Sequence, residues 1–156
     1  MRNDQDGFTL IELLITVAVL SIILSMAVPV FSRALNDARN THAIGDIKAL
    51  EKEIMFFEAR NGSLPVTLND IGAGAWVDPW GLPYQYTNFS TLKANKQGKI
   101  TGGARKDKNL HPINSSYDLY SMGEDGETVL PLTAKASLDD IVRANDGSFV
   151  GLAENY

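Results

Sequence analysis

From Phe8 to Val28 the chain is apolar at nearly every position, and those 21 residues carry a single ionisable side chain, Glu12. A helix rises about 1.5 Å per residue, so the run is about 31 Å long and matches a hydrocarbon core of about 30 Å. The pattern predicts a membrane span. Beyond Pro29 the apolar residues recur at steps of three and four. Phe31, Leu35 and Ala38 form one row, and Ile44, Ile47, Leu50, Ile54 and Phe57 form a second, with Arg33, Asp37, Lys48, Lys52 and Glu58 largely off both. This is helical spacing. The second row has the larger side chains and is expected to bury within the same chain, whereas the first is expected to face neighbouring subunits. Pro29 removes one helical hydrogen bond and marks a kink or an unwinding point where the span leaves the membrane. Asn61-Gly62 supplies a left-handed cap, and Pro65 prevents the helix from resuming.

After the helix, 64–75 reads as a connection in which Thr67 caps one short turn. Asp78-Pro79-Trp80-Gly81 is a turn signal, and 84–87 alternates as a strand does. Trp76 and Trp80 are expected to close the core. The stretch 88–116 is polar and holds Lys93, Lys96, Lys99, Arg105, Lys106 and Lys108 against one acid, Asp107. It reads as a solvated loop, with Ile100 starting a strand of a loose hairpin. Its alternative role is an electrostatic docking surface for the acidic tail of an identical subunit. Residues 117–122 form the cleanest strand, with Tyr117, Leu119 and Ser121 on one face, and Gly123-Glu124-Asp125-Gly126 ends it. Residues 138–142, the turn Asn145-Asp146-Gly147 and a strand over 148–151 follow. The fold class is α+β: a long amino-terminal helix, transmembrane and then an amphipathic spine, packed on a small carboxyl-terminal antiparallel sheet. The outline is a lollipop, divided into a leader at 1–7, a membrane half-helix at 8–29 and a globular domain at 30–156.

Composition narrows the function. A net charge of −5 argues against a nucleic-acid surface, which needs clustered basic residues. There is no cysteine, so neither a disulfide framework nor a thiolate metal site is available. A small domain in an oxidising compartment then needs another staple, and a bound ion is one candidate. The two histidines, His42 and His111, have no nucleophile or third ligand beside them. Asp139-Asp140 is a poor acid–base pair, because adjacent residues on a strand point to opposite faces. The chain reads as a non-enzyme.

Glu12 requires a reason, because a carboxylate in a bilayer needs a partner, an interface or neutralisation. Cleavage between Gly7 and Phe8 would supply a partner as a new positive amine at Phe8. On a neighbouring chain that amine could meet Glu12 and set the axial register of packed helices. The run Gly7-Phe8-Thr9-Leu10-Ile11-Glu12-Leu13-Leu14, followed by an apolar stretch and Pro29, resembles the processing signal of type IV pilins and pseudopilins. The resemblance implies a prepilin peptidase that cuts after Gly7 and methylates Phe8, with Glu12 and Pro29 serving assembly. The leader sets Arg2 against Asp4 and Asp6, whereas leaders of the family usually carry net positive charge.

From spacing alone, Asp125, Asp139 and Asp140 are loop acids without an Asp-x-Asp-x-Asp-Gly pattern. The segments Asp78-Pro79-Trp80-Gly81-x-Pro83-Tyr84-Gln85-Tyr86, Tyr117-Asp118-Leu119-Tyr120-Ser121-Met122-Gly123-Glu124-Asp125-Gly126 and Asp139-Asp140-Ile141 resemble the core of the major pseudopilins of type II secretion systems. That resemblance implies a structural Ca²⁺ held by the carbonyl of Met122 and the carboxylates of Asp125 and one or both of Asp139 and Asp140. It also implies a homopolymeric periplasmic filament, anchored by a single pass in a bacterial inner membrane, that drives protein export. Its partners would be the prepilin peptidase, minor pseudopilins and an inner-membrane assembly platform, with no nucleic acid. The alternatives are a type IV pilin subunit for adhesion or motility and a membrane-tethered binding module that never polymerises.

Overall fold

The computed structural model describes residues 8–92 and 102–156. Gly7 and the rest of the leader, with Lys93, Lys96, Lys99 and Ile100 of the polar stretch, lie outside the described residues. Helix α1 runs over Leu10–Asn61, and four strands follow: β1 (Gln85–Asn88), β2 (Tyr117–Ser121), β3 (Ile141–Ala144) and β4 (Phe149–Leu152). The chain divides into two compact units, Met1–Ala38 and Arg39–Tyr156.

In the first unit every described residue from Phe8 to Leu35 is exposed. Its one helical segment is long and apolar enough to cross a membrane. Thr9 starts it by accepting the Glu12 N–H on its hydroxyl at 3.3 Å. The few polar side chains inside the apolar run are satisfied locally. Thr16, Ser21 and Ser25 donate their hydroxyls to the carbonyls of Leu13, Val17 and Ile22 at 2.7–2.8 Å, as hydrocarbon demands. Pro29 lies within the helical run rather than ending it, so it is not an unwinding point.

In the second unit Ala43, Ile47, Leu50 and Ile54 are fully buried. Their steps of four, three and four put them on one helical face. They pack with Tyr84, Tyr117, Leu119 and Ile141 in the main core. Gly62 ends the helix at φ 74°, donating its N–H to the Glu58 carbonyl at 2.8 Å. A 3₁₀ turn at Leu68–Ile71 follows, anchored where the Asp70 carboxylate accepts the N–H groups of Val66 and Thr67. The expectations for the cap and for Thr67 hold.

The sheet is an antiparallel meander in the order β1-β2-β3-β4. Gln85 pairs with Tyr120, Tyr120 with Val142, and Val142 with Gly151. Alternation along β3 turns Ile141 toward the helix core, while Val142 and Ala144 enter a second core with Ile113, Leu132 and Ala153. Both faces of the sheet are therefore covered. The tryptophans do less than expected. Trp76 is 40% exposed, and Trp80 is half-buried against the main core. Tyr84 closes the core instead, 5% exposed, with its hydroxyl donating to Asp46 at 2.8 Å.

Candidate functional site

Two places carry the candidate residues. The first is the start of α1, where Phe8 is 78% exposed and Glu12 occupies the first turn. Among the described residues Glu12 forms no ion pair. From Phe8 to Ser32 it is the only charged side chain, so within that exposed apolar surface it is the single electrostatic landmark.

The second place is the loop after β2. Gly123 and Gly126 both have φ 68°, a conformation glycine adopts without strain. At Gly123 an added Cβ would lie 2.4 Å from the Asp139 carbonyl oxygen, so this crossing tolerates no side chain. Asp139 Oδ2 accepts the N–H groups of Glu124 and Asp125 at 2.8 and 3.0 Å. Asp125 in turn accepts the Glu127 N–H at 2.8 Å. The carboxylates of Asp125 and Asp139 thus order the turn that Met122 enters.

Asp140 belongs elsewhere. It is fully buried, and its Oδ2 is ion-paired with the Arg105 guanidinium and accepts the Thr128 hydroxyl at 2.7 Å. Burial pushes its carboxyl up and Arg105 pulls it down, leaving it at about 6. Adjacent side chains on extended backbone diverge, and here they are put to separate uses. Of the groups expected around Ca²⁺ (the Met122 carbonyl, Asp125 and one or both of Asp139 and Asp140), Asp125 and Asp139 stay on the turn and Asp140 is drawn away to Arg105. Among the described residues, no three His, Cys, Asp or Glu side chains gather so as to hold a metal ion. A hard cation takes six to eight oxygens, and with Asp140 paired to Arg105 the set that includes Asp140 does not fit one.

Sequence reasoning missed the buried charges. Arg105, placed above in a solvated basic loop, is 1% exposed. Of its basic neighbours Lys106 is half-buried and Lys108 is exposed. The Arg105 backbone N–H donates to Asp118, and its guanidinium lies 4.5 Å over the Tyr120 ring. Asp118 is also buried. Burial pushes its carboxyl up to about 6, against the Asn114 amide and the Arg105 N–H that pull it down. Arg143, 5% exposed, lies 4.1 Å over the Tyr117 ring. The one available signal was Arg143 itself, a cation inside the apolar run of β3.

Residues 2–28 match the family described as the prokaryotic N-terminal methylation motif. Type II secretion system core protein G of Escherichia coli K12 is 30% identical over 131 residues, which cover 80% of this chain and 86% of that protein. The protein of the same name from Vibrio cholerae is 30% identical over 145 residues, covering 80% and 84%. That from Pseudomonas aeruginosa is 29% identical over 147 residues, covering 81% and 88%. No solved structure matches significantly. Each of these relatives aligns with about four-fifths of the chain, and the chain belongs to the type II secretion system core protein G family.

Proposed function

We propose that the chain is the structural subunit of a pseudopilus, a homopolymeric filament whose growth drives protein export through a type II secretion system. The observation that carries this reading is the exposed apolar stretch 8–32, in which Glu12 is the only charged side chain. An isolated span needs no such charge, whereas a helix that must stop at a fixed register against its neighbours does. In this reading a prepilin peptidase cuts between Gly7 and Phe8. The freed Phe8 amine of an incoming subunit then meets Glu12 of a neighbour, and the helices pack as the filament core. The unit Arg39–Tyr156 forms the outer layer on the periplasmic side of the inner membrane. Minor pseudopilins and an inner-membrane platform would be its assembly partners.

The role is structural rather than catalytic. His42 and His111 each sit 3.7 Å from an i+4 or i−4 carboxylate, that of Asp46 or Asp107, and both rings are on the surface.

The test is Glu12→Ala in the full-length chain, expressed with the peptidase and the assembly platform. The variant is expected to insert and be cleaved as the parent is, yet to form no filament and to support no export. Export at the parental level would instead favour a tethered module that works as a monomer.

A further inference from the structure

The carboxylate of Asp140 is fully enclosed, and its enclosure already contains a cation. Arg105 donates Nη2 to Asp140 and Nη1 to both the Thr128 hydroxyl and the Val129 carbonyl. Its backbone N–H holds Asp118 on β2, and its guanidinium covers Tyr120 of the same strand. The neighbouring backbone continues the junction: Lys106 N–H donates to the Leu130 carbonyl, and Leu132 N–H to the Lys106 carbonyl, both at 2.9 Å. One side chain thus joins the polar stretch, β2, the loop after β2 and the start of β3.

We propose that Arg105 is the resident cation of this loop, so that the closure the family resemblance assigns to Ca²⁺ is made here by a covalently held guanidinium. Three physical points support the assignment. A guanidinium is permanently charged and presents five donors in a fixed fork, enough to bind a carboxylate, a hydroxyl and a carbonyl at once. Without a positive partner a buried carboxylate is strongly unfavourable, and Asp140 has this one. A divalent ion drawn to Asp140 would meet a fixed positive charge in a poorly screened interior, while one oxygen each of Asp139 and Asp125 is engaged with backbone N–H groups. The loop then takes its shape as the chain folds, without a supply of metal.

The inference concerns the folded subunit alone, so it can fail without touching the polymerisation reading, and the reverse also holds. The experiment is thermal unfolding of the full chain in detergent, with added Ca²⁺ and with a chelator. A bound ion in hundredfold excess over its dissociation constant would raise Tm by several degrees. The expected result is the same Tm in both conditions. Arg105→Met and Asp140→Asn should each lower Tm, and the double variant should be no worse than the single ones, since the two side chains act as one unit. A parental Tm that falls in chelator and returns with Ca²⁺ would overturn the proposal, as would an Arg105→Met chain as stable as the parent. Should Arg105→Met not fold, Arg105→Lys and the parental chelator comparison still decide.

Discussion

Arg143 on β3 donates its Nε to Glu51 of α1 at 2.7 Å, a junction between residues 92 positions apart. The Arg143 side chain is 5% exposed and that of Glu51 17%, so most of the pair is shielded from water. Asn114 and the Tyr117 carbonyl accept from the same guanidinium. Glu51→Ala would leave a buried cation short of its main counter-charge, at a cost of about 2–4 kcal/mol. Urea unfolding of the full chain would show it; a loss below about 0.5 kcal/mol would mean that Asn114 and Asp146 suffice.

Glycines 45 and 123 should respond in opposite directions. Gly45 is exposed within α1 with nothing in the path of an added Cβ, so Gly45→Ala should stabilise by about 0.5–1 kcal/mol through helix propensity. Gly123→Ala would place its Cβ against the Asp139 backbone at a positive φ and should destabilise by about 2 kcal/mol. Paired melts of the two variants check both signs.

Leu50→Ala and Phe56→Ala separate the core face of α1 from its outer face. Leu50 is fully buried, whereas Phe56 is 70% exposed. The first should lower stability by about 2–5 kcal/mol and the second by less than about 0.5 kcal/mol. Equal losses measured in denaturant would mean that the assigned core face is wrong.

Acid should favour the folded state through Asp118. Its carboxyl sits at about 6 in the native protein and near 4 when unfolded. Between those values the native state holds a proton that the unfolded chain has released, so stability falls as pH rises through that window. Asp118→Asn keeps the shape and an acceptor but cannot titrate. Relative to this variant, the parent should lose on the order of 2 kcal/mol between pH 4 and pH 7. A constant difference across that range would show that burial of Asp118 is not what couples stability to pH.

The parts of the fold that obey a period were legible in the sequence. Of the row Ile44, Ile47, Leu50, Ile54 and Phe57, the middle three are fully buried, Ile44 packs partly buried against them, Phe57 stands outside the cluster, and Ala43 joins it. The turns at Gly62 and Gly123 and the strand at 117–121 follow from local chemistry that tertiary context did not override. The charges inside the domain had no period to betray them. Arg105 lies among lysines in a polar stretch, and only the backbone pairing around Lys106, Pro112 and Pro131 carries it under the sheet. Trp76 failed for the opposite reason: hydrophobicity ranks a side chain for burial, but the position of its turn decides whether the core reaches it. The carboxylates Asp125, Asp139 and Asp140 read as one cluster in sequence. Local backbone geometry divides them between a turn and an ion pair.

The links of the meander are unequal. They shorten along the chain, from 28 residues between β1 and β2 to 19 between β2 and β3 and four between β3 and β4. Closing the longest rather than the shortest costs about 1.7 kcal/mol more in chain entropy. The last strand pair therefore has the link that costs least to close. Arg105 and Asp140 sit in the two long links, one each, so their pairing fastens the steps that chance alone would bring together most slowly.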